Sequence, residues 1–206
     1  MENCFKNINI ELSIDNKIFK EYKNFSYQHV DISAALQRGR DPKDVVVSST
    51  FKRVSLPKNY FEGEAIDKLI KDFNLSLKIF LIEPGYVYNW HRDAYRHLAF
   101  NCMLGGNDDY LVLFAHEYPN GLSSSITFAR YSYFPAARLV YSPRRFYTIN
   151  TQIPHISINF GKEARYLLTL AEYEDNPLKT EKTNITNYNY FESAKKKLQD
   201  LGYFNL

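Results

Sequence analysis

The feature that most limits the fold is a series of short β-rich runs that begins near residue 77. Turn signals such as GGND, PNG and GK separate the runs. Seven runs follow one another in this way: LKIFLIEPGYVYNW, HLAFNCML, YLVLFAHEY, SSITFARYSYF, RLVYSPRRFYTI, HISINF and ARYLLTLAEYE. Short strands at this spacing favour an antiparallel sandwich or jelly roll over a parallel α/β sheet. The sequence therefore predicts a mainly β fold.

Helical periodicity flanks the β-rich region on both sides. An amphipathic helix is predicted near residues 62–73, where apolar residues recur at helical spacing: Ile66, Leu69, Ile70 and Phe73. A closing helix is predicted in NYFESAKKKLQDLGYF, where one face carries Phe191, Ala194, Leu198 and Leu201. We expect one domain over residues 1–206, divided into flanking strands and a helix (1–74), a jelly-roll core (75–175) and a closing loop and helix (176–206).

Composition and charge narrow the classes of partner. Hydrophobic residues make up 45% of the chain and aromatic residues 16%, which indicates a packed globular protein. The formal charge of +3 is too small to indicate nucleic acid or an anionic membrane as the partner. Cys4 and Cys102 are far apart, which favours reduced, buried thiols over a disulfide framework. With no secretion signal and no long apolar segment, we expect a cytoplasmic protein.

The stretch NWHRDAYRHLAFN, residues 89–101, is unusually polar for a β-rich region. Three interpretations are open: a solvated loop, a buried polar network, or a metal site inside a barrel. Side chains alternate along a strand, so His91 and Asp93 can share one face. The same alternation places His97, Ala99 and Asn101 opposite Leu98 and Phe100. A polar inward face requires polar contents, because an unpaired buried polar group costs about 1–3 kcal/mol.

A second polar face is predicted in IPHISINFGKEARYLLTL. His155, Ser157 and Asn159 alternate there with apolar residues, and a GK turn leads into a strand that begins near Arg165. Two histidines and one carboxylate can form the facial triad that holds non-haem Fe(II) and leaves open coordination positions. His-x-Asp alone is a weak motif. The distal His155 and a basic residue ten positions later make the combination more specific.

On these motifs, residues 77–173 resemble the Fe(II)/2-oxoglutarate-dependent dioxygenase superfamily. WHRDAYRHLAFN and HISINFGKEARYLLTL are similar to the aspartyl/asparaginyl β-hydroxylase branch, which includes proline hydroxylases. The resemblance implies a double-stranded β-helix (jelly roll) in which His91, Asp93 and His155 bind Fe(II). It also implies that the cosubstrate 2-oxoglutarate is bound by these residues: Arg165, His97, Arg96 and Asn159.

The implied activity is hydroxylation of an amino acid or a peptidyl side chain, with O₂ and a small-molecule or peptide substrate as partners. Membranes are not expected as partners, and nucleic acid ranks behind amino acids. Arg144 and Arg145 could bind a phosphate or a substrate carboxylate. The alternative function is a non-catalytic, cupin-like jelly-roll module that binds a metal or ligand. Arg165 separates the two functions, because such a module has no need of a buried guanidinium that faces a metal.

Overall fold

Two antiparallel sheets make up most of the structure, a computed structural model that describes residues 4–29, 51–91, 98–105, 110–115, 135–151, 153–172 and 188–203. The strands are β1 (Phe5–Glu11), β2 (Gln28–His29), β3 (Phe51–Leu56), β4 (Leu75–Ile82), β5 (Val87–His91), β6 (Leu98–Gly105), β7 (Tyr110–Ala115), β8 (Pro135–Val140), β9 (Arg145–Asn150), β10 (His155–Asn159) and β11 (Arg165–Glu172). The helices are α1 (Ile18–Glu21), α2 (Ala65–Asp72) and α3 (Tyr188–Asp200), and a 3-10 turn covers Tyr22–Asn24.

The strand order is that of a jelly roll. The larger sheet runs β1-β9-β6-β11-β4-β3-β2, and the smaller sheet runs β5-β10-β7-β8. Consecutive strands from β4 to β11 are thus shared between two facing sheets, which confirms the predicted mainly β, jelly-roll fold with flanking helices. The N-terminal strands extend the larger sheet, since β1 pairs with β9 and β3 pairs with β4.

Two of the predicted β-rich runs each contain a turn and form two strands. LKIFLIEPGYVYNW divides between β4 and β5, where Gly85 has a φ of 73°. RLVYSPRRFYTI divides between β8 and β9, where Pro143 cannot donate to a ladder and Arg144 has a φ of 67°. The run SSITFARYSYF lies outside the described residues.

The larger sheet separates two apolar cores. The outer core lies between the outer face of the larger sheet and the N-terminal segment, α2 and α3. It includes Phe100, Leu168 and Leu170. The inner core lies between the sheets and includes Leu167 from the larger sheet and Phe114 from the smaller one. Leu167 and Leu168 are neighbours on β11, so strand alternation assigns them to opposite cores.

Both predicted helices are confirmed with shifted bounds. Helix α2 begins at Ala65 and ends at Asp72, with Ile66, Leu69 and Ile70 buried and Phe73 half-buried just beyond its end. Helix α3 buries Ala194 and Leu198, and Leu201 packs on the same core. Cys4 and Cys102 are free and buried, as predicted. Among the described residues, no helix is long and apolar enough to cross a membrane.

Candidate active site

His155 begins β10 and faces the space between the sheets. It is only 6% exposed and lies directly across from Phe114 of β7, an inner-core residue. The two ring centroids are 6.0 Å apart. Directly opposed residues of an antiparallel pair project to the same side of the sheet. The imidazole therefore projects into the inner core.

A backbone hydrogen bond fixes the orientation of the His155 ring. Nδ1 lies 2.9 Å from the carbonyl oxygen of Ile153. A carbonyl oxygen can only accept, so Nδ1 is the donor in this contact, which leaves Nε2 with the lone pair when the ring is neutral. Metal-binding histidines commonly donate their second ring N–H in this way. The ring of His155 is therefore held in an orientation that suits a metal ligand.

The backbone of His91 lies directly across from His155. Their Cα atoms are register partners in the β5–β10 pair, at the end of β5. Asp93, Arg96 and His97 lie outside the described residues. Within the described part of the chain, no group of three His, Cys, Asp or Glu side chains comes together. The ligand set His91, Asp93 and His155 therefore stays a prediction, and so do the roles of Arg96 and His97.

Arg165 is a fully buried residue at the start of β11. It is 0% exposed and is paired in register with Ile82, an inner-core residue of β4. Its side chain shares a strand face with Leu167, which is also in the inner core. Arg165 is therefore not a surface ion-pair partner. A buried guanidinium is stable only beside acceptors or negative charge, and its planar fork matches a carboxylate. Its role in binding cosubstrate stays a prediction.

Asn159 connects the end of β10 to β4. Its Nδ2 donates to the carbonyl oxygens of Ile82, Glu83 and Glu163 at 3.0, 3.1 and 3.0 Å. Its Oδ1 accepts from the backbone N–H of Gly161 at 3.1 Å. These contacts hold the turn that precedes Arg165 and engage both ends of the carboxamide. They give Asn159 a positioning role, and its predicted contact with cosubstrate stays a prediction.

The sequence analysis did not identify Thr169, which lies in the site's interior wall. Asn101 of β6 is directly paired with Thr169 of β11, and both are buried. Nδ2 of Asn101 donates to the hydroxyl of Tyr141 at 3.1 Å, and Tyr141 belongs to the inner core. Leu98 and Phe100 instead belong to the outer core, so the predicted alternation in HLAFN is confirmed for the described residues. A lone threonine within ARYLLTLAEYE gave no signal, but strand parity with Arg165 could have found it.

Arg144 and Arg145 are engaged by an acidic side chain. Nη2 of Arg144 lies 3.0 Å from Oε1 of Glu11, and Nε of Arg145 lies 3.8 Å from Oε2 of the same carboxylate. Glu11 ends β1, so the pair joins the N-terminal strand to the β8–β9 turn. This pairing weakens the interpretation of the two arginines as a phosphate site.

Comparison with solved structures shows the same fold elsewhere. A prolyl hydroxylase from Trichoplax adhaerens, solved with a hypoxia-inducible-factor peptide, has a TM-score of 0.51 at 14% identity over 84% of each chain. A Pseudomonas putida prolyl-4-hydroxylase gives 0.48 at 12% identity, over 82% of this chain and 91% of its own. A 2OG-Fe(II) oxygenase from Burkholderia pseudomallei gives 0.46 at 10% identity, over 75% of this chain and 76% of its own. The sequence matches no protein-family model and no curated protein. The first likeness shows the fold.

Proposed function

We propose that the protein is an Fe(II)- and 2-oxoglutarate-dependent hydroxylase of an amino acid or a peptidyl side chain. The observation that carries the proposal is that His155 and Arg165 face the same interior space. Nδ1 of His155 lies 2.9 Å from a backbone carbonyl oxygen, an arrangement common among metal-binding histidines, and Arg165 is fully buried. The backbone pairing of His91 with His155 brings a second candidate ligand to the same end of the smaller sheet.

The predicted donor set fits Fe(II) chemically. Two imidazoles and one carboxylate, from His91, Asp93 and His155, suit non-haem Fe(II) and leave positions for cosubstrate and O₂. When bound, the metal would supply O₂ activation, with 2-oxoglutarate converted to succinate and CO₂ as the substrate C–H becomes C–OH. Arg165 would hold the distal carboxylate of 2-oxoglutarate by a bidentate, charge-assisted pair. The apolar inner core would exclude water from the reacting groups.

The buried Arg165 favours the enzyme over a non-catalytic, cupin-like module. A module without a cosubstrate has no need of a guanidinium in its interior, and burial of this charge is costly. The shared fold of the Trichoplax adhaerens prolyl hydroxylase is compatible with the same proposal. Free, buried thiols at Cys4 and Cys102 support a reducing compartment, and we propose the cytoplasm.

Two measurements test the proposal. Anaerobic addition of Fe(II) and 2-oxoglutarate should give an absorption band in the visible region that needs both components. Succinate release, measured against a panel of free amino acids, peptides and nucleosides, then tests turnover and substrate class together. Absence of the band would favour the binding module. Succinate release stimulated by nucleosides or oligonucleotides would contradict the assigned substrate class.

Variants of Arg165 test its part in the site. Arg165→Met keeps the length of the side chain and removes the charge, so 2-oxoglutarate binding should weaken by about tenfold to a hundredfold. Metal binding should change little, because the predicted ligands are untouched. Arg53→Met is the matched control, since Arg53 is exposed on β3. Equal losses of metal and cosubstrate affinity would mean that Arg165 is a structural residue.

A further inference from the structure

The interior face of the larger sheet carries a row of polar residues across five strands. Successive register pairs join Tyr147 to Asn101, Asn101 to Thr169, Thr169 to Lys78 and Lys78 to Ser55. Directly paired residues share a side of the sheet, so all five lie on one face. Ser55 is exposed, Lys78 is half-buried and Thr169 is 3% exposed. The row therefore leads from solvent into the interior.

Asn101 and Thr169, here called the polar pair, hold two polar atoms without partners. Among the described residues, Oδ1 of Asn101 and Oγ1 of Thr169 are buried and make no hydrogen bond. Asn101 is 8% exposed, and its Nδ2 already donates to Tyr141. Leaving such groups unpaired costs free energy, which a polar ligand would recover.

The polar pair lies on the same face as Arg165. Thr169 is four residues along β11, which is about 13 Å of strand. The chain reverses direction in the turn between β10 and β11. Thr169 therefore lies on the side of Arg165 that is toward His155, the first residue of β10. The polar pair is therefore part of the proposed active-site wall, separate from Arg165.

We infer that the polar pair binds the charged end of a free α-amino acid, an inference that rests on the proposed function and narrows its substrate class. The ammonium group donates to Oδ1 of Asn101, and the carboxylate accepts from the hydroxyl of Thr169. Lys78, next to Thr169 in the row, adds positive charge on the carboxylate side. 2-Oxoglutarate is a poor match for this place, because it carries no donor for Oδ1 of Asn101 at neutral pH.

Ligand-detected NMR with the 206-residue chain tests the inference without turnover. The probes are the common amino acids one at a time, each compared with its N-acetyl amide, which lacks both charges. Binding is measured without added metal and again with Zn(II) and 2-oxoglutarate. We expect at least one free amino acid to bind about tenfold more tightly than its capped form. No binding in either condition, or equal binding of capped and free forms, overturns the inference.

Matched variants locate the binding. Thr169→Val and Asn101→Leu should each weaken binding by about tenfold or more. Ser76→Ala removes a hydroxyl from the same face of the sheet, one that already donates to the carbonyl of Ala171, and should leave binding unchanged. Thr169→Val should also raise the midpoint of thermal unfolding by about 2–4 °C, because it removes an unpaired buried group.

The outcomes separate this inference from the proposed function. Unchanged amino-acid binding in Thr169→Val, together with a lower unfolding midpoint, would mean that the pair only organises structural water. Succinate release with peptides alone would sustain the proposed hydroxylase and overturn the free amino acid as its substrate. Amino-acid binding that needs both residues of the pair, without any succinate release, would sustain this site and contradict the enzyme.

Discussion

Asn159 shows how much a single buried side chain can organise. Its carboxamide bonds the carbonyls of Ile82, Glu83 and Glu163 and the N–H of Gly161. These backbone groups belong to two chain segments that meet beside Arg165. Few other side chains could replace it, because the arrangement needs donors and an acceptor on one planar group. The residue therefore holds the backbone from which Arg165 enters the interior.

Replacement of Asn159 separates positioning from ligand contact. Asn159→Ala should lower the free energy of unfolding by about 2–4 kcal/mol, because it leaves buried backbone groups unpaired. Urea unfolding measures the change, and Asn24→Ala is the control, since Asn24 is exposed and has one long hydrogen bond of 3.4 Å. Unchanged stability with lost 2-oxoglutarate binding would instead support the cosubstrate contact predicted from the sequence.

For individual residues, the sequence predicted well which face of a strand a side chain lies on, but it did not predict hydrogen-bond partners. The opposite faces taken by Leu98 and Phe100 and by Ala99 and Asn101 follow from alternation along a strand. Two partners of Asn159 lie 76 and 77 positions away, on Glu83 and Ile82, and alternation carries no information about such contacts. The pairing of Arg144 and Arg145 with Glu11 was missed for the same reason.

Among the elements, β6 ends where the N-terminal segment crosses the larger sheet. A Cβ placed on Gly105, the last residue of β6, would overlap the hydroxyl oxygen of Tyr22. Tyr22 is held in an edge-to-face contact with Tyr166, whose ring centroid is 4.8 Å away. The ring therefore has little freedom to move aside. Glycine at this place allows the aromatic contact to cover the end of the strand.

Gly105→Ala should lower the free energy of unfolding by about 1–3 kcal/mol through overpacking against Tyr22. Tyr22→Phe removes the nearest atom, so Gly105→Ala should lower the free energy of unfolding less in the Tyr22→Phe background than in the parent chain. A double-mutant cycle by chemical unfolding measures this coupling. Strictly additive losses would show that the strand end moves away and that the contact with Tyr22 does not set the cost.

Helix α2 contains an ion pair that makes its stability depend on pH. Lys71 donates to Oδ2 of Asp67 at 2.7 Å, and the backbone N–H of Gly63 donates to the same oxygen at 3.3 Å. The hydrogen bond from Lys71 lowers the pKa of Asp67, with a further contribution from Gly63, although burial opposes the shift. A lowered pKa in the folded state means that the stabilisation is present at neutral pH and is lost as pH falls.

Asp67→Asn should therefore lower the urea midpoint at pH 7, and the difference from the parent chain should shrink as pH falls below about 4. Paired unfolding curves from neutral pH down to acid pH measure this dependence. Asp15→Asn is the control, because Asp15 is exposed. A difference that stays constant across this pH range would show that the amide change acts through packing and not through charge.

At the scale of the whole molecule, the two faces of the larger sheet belong to different cores. The outer face packs against α2 and α3 in the outer core. The inner face carries Arg165 and the polar pair and lies toward His155 of the smaller sheet. The sequence predicted the sandwich because turn signals and β-rich runs are local features. It did not predict that N-terminal strands extend the larger sheet, since pairing between distant segments leaves no local pattern. We therefore expect that substitutions can perturb stability and ligand binding separately.

Leu167 and Leu168 test this division with one residue type on one strand. Leu167 is in the inner core beside Arg165, and Leu168 is in the outer core; they are 5% and 0% exposed. Each change to Ala should cost about 2–5 kcal/mol of unfolding free energy. Leu167→Ala alone should weaken 2-oxoglutarate binding, by about threefold or more, because it loosens the packing next to the guanidinium. Calorimetric titration well below each variant's unfolding midpoint measures the affinity. Equal weakening by both changes would mean that the sheet transmits outer-core damage to the site, and that the two faces are not independent.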